Sequence, residues 1–510
     1  MRSQGEDDMS DRTNVLLITS DQQHWMTLGC LNDAIETPNL DRLAAQGMLF
    51  NRAYCPNPTC TPTRASIITG QYPSQHGAYS LGTKLSEDVH TVGEDFQAAG
   101  YRTALVGKAH FQPTKTHETW TSIESMPILQ DLDFWRNFHG PFYGFEHIEL
   151  ARNHADEQLV GQHYVIWLEE NGCDNWRDYY RPPTGNNANQ KHTWEIPETY
   201  HYGTWIRERS CALLEQYAEQ EEPFFLWASF FDPHPPYLVP EPWDTMYDPN
   251  GLTVPSVVEG EHDNNPPHFQ MTQMETPDFS DWREEEWGLH GMSSHVHTKE
   301  AMAKNLAIYY GMISLMDKQI GQILDKLDEL DLTENTLVVF TSDHGHFYGQ
   351  HGLIAKGPFH YEDVIRVPFL VRQPGKVPAG VRSDAIQSLV DLAPSFLSAT
   401  DIEIPRSMTG VDQTGVWYGK EDAARDHAIV EHHHSPTTVH VKTYVEGRYK
   451  LTTYFKREFG ELFDLENDPN ELHNRWDDPD YKDVKYGLIH RLLFAEMGNE
   501  PMWMPRISGA

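Results

Sequence analysis

Residues that can hold anions and cations recur in this chain directly after short apolar runs. The densest instance is Cys60-Thr61-Pro62-Thr63-Arg64, which opens the stretch Cys60 to Gly70. Pro62 suits a first helical turn, and Ala65, Ile67, Ile68 and Gly70 fit one short helix closed by a glycine. Cys60 then lies at the helix N-terminus, where unpaired N–H groups and the helix dipole favour an anion. Arg64 adds a planar guanidinium fork for sulfate or phosphate oxygens. A buried structural cysteine in a capping turn is the other reading of the same residues. Elsewhere, Asp21 with Gln22, Lys108 with His110, His234, and Asp343 with His344 each follow an apolar run, and Lys356 comes soon after the last pair. Asp21, Asp343, Gln22 and His344 suit one divalent cation with mostly oxygen ligands: Ca²⁺ or Mg²⁺ by preference, with Mn²⁺ admitted by the imidazole. Arg64, Lys108 and Lys356 suit an anion beside it. Such a centre stabilises charge on a transferring sulfuryl or phosphoryl group.

Groups so far apart in sequence meet only if the elements before them are aligned. Val15 to Ile18, Thr103 to Val106, Pro223 to Phe230 and Thr336 to Phe340 are nearly continuous apolar runs, the pattern of parallel strands buried on both faces. The C-terminal ends of such strands share one edge of the sheet, where open α/β folds place their ligands. Residues 38–50 read as a helix leading into a strand from Phe50 to Tyr54, and 88–111 as helix then strand. Further helices are predicted over Tyr202 to Gln220, over Ile308 to Leu330 with apolar residues three and four apart, and over Asp391 to Ala399; Val367 to Val371 reads as another strand. The fold class predicted is α/β, a large mainly parallel sheet sandwiched by helices, with a smaller C-terminal antiparallel sheet plus helix. Residues 1–12 are expected to be disordered and 13–404 to form the α/β domain, with insertions over about 112–200 and 240–298 that shape a pocket. Residues 405–510 hold short, close-spaced strands and a helix near 481–497, a small α+β subdomain and tail. His432, His433 and His434 are adjacent on a predicted strand and point to alternate faces, which suits a pocket edge better than a metal site.

With 39 Lys and Arg against 76 Asp and Glu, the chain carries a formal charge of -37, which repels nucleic acid and anionic membranes. Mean hydropathy is -0.60, and no stretch approaches the about 20 apolar residues of a membrane span. The N-terminal MRSQGEDDMSDRTN lacks a basic segment followed by an apolar one, so a cytoplasmic location is expected. Five cysteines without a C-x-x-C pair argue against a disulfide framework and against a thiolate metal site. A homo-oligomer stays open.

Cys60, Pro62 and Arg64 resemble the C-x-P-x-R signature of the formylglycine-dependent sulfatases, with Thr63 where serine is commoner. Gly107-Lys108-Ala109-His110 is similar to the family's lysine–histidine motif, and Asp232-Pro233-His234-Pro235-Pro236 to the segment bearing a substrate-contacting histidine. The similarity extends from about residue 13 to DLENDPNELHN at 464–474. Gln22 stands where the family often has a second Asp, and His344 where it often has Asn. Both pairs resemble the branch of the alkaline phosphatase superfamily that contains choline sulfatase and the phosphonate monoester hydrolases.

The resemblance implies hydrolysis of a small-molecule or saccharide sulfate ester to sulfate and an alcohol, phenol or sugar. It implies one divalent metal on Asp21, Gln22, Asp343, His344 and the modified residue at Cys60, with a formylglycine-generating enzyme as the modifying partner. Formylglycine is hydrated to a gem-diol, one oxygen of which, held by the cation and Arg64, attacks sulfur. His234 or Lys356 protonates the departing alcohol, His110 deprotonates the second hydroxyl, Lys108 flanks the centre, and the aldehyde re-forms as sulfate leaves. A phosphonate monoester or phosphodiester hydrolase using the same centre is the alternative, since both groups are tetrahedral anions.

Overall fold

Eight strands form the main sheet in a computed structural model, which describes residues 12–152, 159–180, 193–282, 290–435 and 439–509. They are Asn14–Ser20 (β1), Met48–Phe50 (β2), Arg102–Gly107 (β3), His147–Leu150 (β4), Phe224–Ser229 (β5), Thr336–Ser342 (β6), Phe369–Arg372 (β7) and Val381–Ser383 (β8). The order across the sheet is β8-β2-β7-β6-β1-β5-β3-β4. β1 runs parallel to β5 and β6, and β3 to β5 and β4. β7 is reversed, antiparallel to both β6 and β2.

Alternate residues of the central strands enter opposite cores. Val15, Leu17, Phe225, Trp227, Leu337 and Val339 pack on one face, and Leu16, Ile18, Leu226, Ala228, Val338 and Phe340 on the other. Two apolar faces with a period of two produce the unbroken apolar runs of the sequence. Cys60–Thr69 (α1) and Leu392–Ala399 (α4) cover the first face through Ala65, Ile67, Ile68, Leu392 and Phe396. Tyr202–Gln220 (α2) and the long Lys299–Glu329 (α3) cover the second, with Leu213, Leu214, Ile313, Ile320 and Leu327 turned inward.

The C-terminal strands His427–Ser435 (β9), Val439–Glu446 (β10), Tyr449–Tyr454 (β11) and Gly460–Asp464 (β12) pair in that order, all antiparallel. Lys482–Gly498 (α5) packs Leu488 and Leu492 against Leu451 and Leu462 of this small sheet. The sheet is not insulated from the rest: Ala428, Val430, Val445 and Phe463 belong to the core that also holds α1.

Two expectations are refined and a third lies almost wholly outside the described residues. The strand predicted from Phe50 to Tyr54 divides, with β2 in the main sheet and Ala53–Tyr54 pairing instead with Gln387–Ser388. The irregular stretch after residue 112 also builds the sheet, since it supplies the edge strand β4 and a helix over Gln162–Glu170. The disordered N-terminus expected over 1–12 lies outside the described residues except for Arg12, whose Nη1 donates to the Ala99 carbonyl at 2.6 Å. All five cysteines are free. Among the described residues no helix is long and apolar enough to cross a membrane.

Candidate active site

Register brings the reactive groups together. Ser20 pairs with Ser342 across β1 and β6, while Thr19 and Gly107 both pair with Ser229 of β5. Asp21, Asp343 and Lys108 are therefore each the first residue past an aligned strand end. Gly107 is required there: its φ is +108°, and a Cβ would come within 1.9 Å of the Ser229 carbonyl oxygen. Lys356 arrives by a different route. Phe347–Tyr348 and Ile354–Ala355 pair as a short antiparallel ribbon that carries the chain back from His344 to the centre.

α1 starts at Cys60, as the sequence predicts, and closes at Gly70, whose φ is +62° and whose N–H donates to the Ser66 carbonyl at 2.9 Å. Cys60 Sγ lies 3.0 Å from Lys356 Nζ, 3.3 Å from His344 Nε2 and 3.7 Å from Asp21 Oδ1. Arg64 donates from Nε to Asp343 Oδ2 at 2.9 Å, and from Nη1 to the Lys108 carbonyl and to Ser229 Oγ, both at 2.8 Å. Lys108 forms an ion pair with Asp21. Asp343 Oδ1 also accepts from the backbone N–H groups of Gln22 and His344, both at 3.0 Å. His234 Nδ1 donates to the Pro235 carbonyl at 2.5 Å, which leaves Nε2 as an acceptor 3.4 Å from Lys356 Nζ. His110 stands two residues past Lys108 at the same strand exit, at φ +60° and with its N–H bonded to Glu124 at 2.9 Å.

Electrostatics follow from the crowding. Burial and the neighbouring Asp343 push Asp21 above the usual carboxylate range, against the pull of Lys108. Burial acts the same way on Asp343, but His344, Arg64 and the two lysines overcome it and hold that carboxyl well below its ordinary value. Cys60 is also lowered: burial opposes its ionisation, yet Lys108 and Lys356 outweigh it and favour the ionised form relative to an ordinary thiol.

A divalent cation fits this donor set on two observations. Ligand atoms of Asp21, Cys60, Asp343 and His344 all lie within 4.8 Å of one another and are buried. Gln22 Oε1 is buried with no hydrogen-bond partner among the described residues. His344 is suitably oriented, because its Nδ1 donates to the Gly345 carbonyl at 3.0 Å and its Nε2 faces the cluster, 3.3 Å from Cys60 Sγ.

Sequence reasoning misses the groups that hold these residues in place. Glu124, in the irregular stretch, accepts from the backbone N–H groups of His110, Phe111 and Gln112 and from Arg152 Nη1 at 2.8 to 3.0 Å. Glu124→Ala leaves Arg152 buried without its anion, and is expected to cost about 3–5 kcal/mol. A denaturant midpoint equal to that of the parent would show that Glu124 does not brace the loop. Ser229 and His346 also escape notice; a signal for His346 exists, since it follows His344 by two residues in Ser342-Asp343-His344-Gly345-His346.

Asp21, Asp343 and Lys108 from the aligned exits thus meet Arg64 from α1 and Lys356 from the ribbon, and comparison with known proteins places the chain in the alkaline phosphatase superfamily. Within it, the chain belongs to the sulfatase family: the family model "Sulfatase" matches residues 13–402, and a model for the C-terminal part of N-sulphoglucosamine sulphohydrolase matches 349–497. That membership makes it an enzyme of the sulfuric ester hydrolase class. The uncharacterized sulfatase YidJ of Escherichia coli is 29% identical over 94% of this chain and 86% of its own. An arylsulfatase of Clostridium perfringens is 28% identical over 95% and 94%, and a choline-sulfatase of Rhizobium meliloti is also among the relatives. The crystal structure of phosphonate monoester hydrolase from Agrobacterium radiobacter superposes with a TM-score of 0.79 over 98% of both chains at 24% identity, a likeness of fold.

Proposed function

We propose that this protein hydrolyses sulfate esters by way of an oxygen nucleophile generated at residue 60. The observation that supports it best is the position of the Cys60 side chain: at the start of α1, 3.0 Å from Lys356 and 3.3 Å from His344, beside the Arg64–Asp343 pair. In this reading Sγ stands in for an oxygen of formylglycine, the aldehyde that replaces the thiol and whose hydrate supplies the nucleophile. Asp21, Gln22, Asp343 and His344, with the oxygen of residue 60, would hold one divalent cation, and that ion supplies Lewis acidity toward the sulfuryl oxygens. Oxygen donors predominate, which favours Ca²⁺ or Mg²⁺, with Mn²⁺ acceptable to the imidazole.

Arg64 and Lys108 hold the negative charge that builds on the transferring group. Lys356 gives a proton to the departing oxygen. The reading is supported by the direction of the Lys356–His234 contact, in which the ammonium donates and the His234 Nε2 accepts. His234 thus orients Lys356, and His110 takes the proton whose loss lets sulfate depart. Relatives named for acting on saccharides, among them an N-acetylglucosamine-6-O-sulfatase and an endo-4-O-sulfatase, make saccharide sulfates candidate substrates beside small alkyl and aryl esters.

The test is turnover of 4-nitrophenyl sulfate against a 4-nitrophenyl phosphonate monoester under one set of conditions. Sulfate is expected to be preferred; a preference for phosphonate would move the assignment to the alternative that the Asp21-Gln22 and Asp343-His344 pairs also fit. The proton donor is tested separately. Lys356→Ala is expected to slow alkyl sulfates far more than nitrophenyl sulfate, whose leaving group needs little help, and His234→Ala to show the same pattern more weakly. Equal losses on both substrates would make Lys356 an anion-binding residue only.

A further inference from the structure

Gln22 stands where the chain leaves β1, at φ +65°. Its side-chain nitrogen lies 2.8 Å from His346 Nδ1, and His346 Nε2 lies 2.8 Å from the Tyr237 hydroxyl. Tyr309 stacks on the same imidazole, with centroids 4.7 Å apart and planes 16° from parallel, while its hydroxyl donates to the Gln22 carbonyl at 2.9 Å. The assembly is buried: Gln22 is 1% exposed, and His346 and Tyr309 are fully buried.

A primary amide nitrogen only donates, so His346 Nδ1 must present its lone pair. The ring then carries its proton on Nε2 and gives it to the Tyr237 oxygen. With a proton on Nδ1 instead, two donors would face each other, and the amide would have to turn over and take its NH₂ to the other side. A cation accepts a carbonyl oxygen as ligand and excludes an amide nitrogen. We propose that His346, backed by Tyr237 and Tyr309, is a positioning residue that fixes the Gln22 amide with its NH₂ on the imidazole, leaving Oε1 for the cation. The buried Oε1 without a partner is the group this arrangement leaves free. The proposal rests on the cation reading above.

Mn²⁺ affinity of the full-length protein, measured by electron paramagnetic resonance of the free ion, is expected to fall about ten- to a hundredfold in His346→Phe. Tyr237→Phe, which keeps the ring but frees its tautomer, is expected to lose only several-fold. Long-range ¹H–¹⁵N spectra of histidine-labelled wild-type protein should show His346 protonated on Nε2, a readout that needs neither activity nor a folded variant. Wild-type affinity in His346→Phe, or a proton on Nδ1, overturns the role given to His346. Wild-type protein that takes up no Mn²⁺ overturns the cation reading, and this proposal with it.

Discussion

Cys60→Ala is expected to lower turnover by about 10⁴- to 10⁶-fold, the loss seen when a nucleophile acting within a unit is removed, while the protein still folds. The side chain is small and α1 owes its position to Ala65, Ile67 and Ile68 in the core rather than to the thiol. The same loss is expected in wild-type protein made without a modifying enzyme, and peptides spanning residue 60 from active protein should react with hydrazides as an aldehyde does. The competing outcome is a real one. Lys108 and Lys356 lower the Cys60 thiol below its ordinary value, which makes the unmodified side chain a competing nucleophile. Chemistry weighs against it, because a hard cation beside two carboxylates pairs poorly with a soft sulfur and well with an aldehyde-hydrate oxygen. A fully active preparation with only thiol at residue 60 would establish the cysteine mechanism instead.

Asp343→Asn should remove metal and activity together. The Asp343 carboxylate accepts from Arg64 Nε on one oxygen and from the Gln22 and His344 N–H groups on the other. An amide at this position directs an NH₂ at one of these donors and leaves a buried guanidinium without its anion. Affinity for the divalent ion should drop by more than about a hundredfold, beyond the usual effect of altering a group behind the ligands. Stability of the metal-free protein should fall by about 3–5 kcal/mol. Measuring both separates the roles: full activity in a metal-free variant would remove Asp343 from the cation site, whereas unchanged stability would mean that Arg64 finds another partner.

Much of this centre is legible in the amino-acid sequence, for a simple reason. β1, β3, β5 and β6 are buried on both faces, so each is a short apolar run, and the first charged residue after it lies just past the strand end. Asp21, Lys108 and Asp343 are found that way. β4 is not, because the alternation of His147-Ile148-Glu149-Leu150 is only four residues long, and the reversed direction of β7 leaves no trace in Phe369–Arg372. Glu124, Arg152, Tyr237 and His346 act through contacts that span from 12 positions, Gln112 on Glu124, to 324, His346 on Gln22. No local period records such a pairing. Neither Gln22 nor His346 points to the other from its own segment, and only the register of β1 against β6 makes them neighbours.

All ten residues of α1 are buried and Cys60 is only 1% exposed. A protein large enough to oxidise that thiol cannot reach it once the sheet and the helices around it have closed. The aldehyde proposed at residue 60 must then be installed on a nascent or unfolded chain, and folding before modification strands the molecule as a thiol for as long as it stays folded. Specific activity of a preparation becomes a record of that race. Slower folding at lower temperature, or a modifying enzyme supplied early in expression, should raise the aldehyde fraction, whereas adding the same enzyme to purified folded protein should leave it where it was.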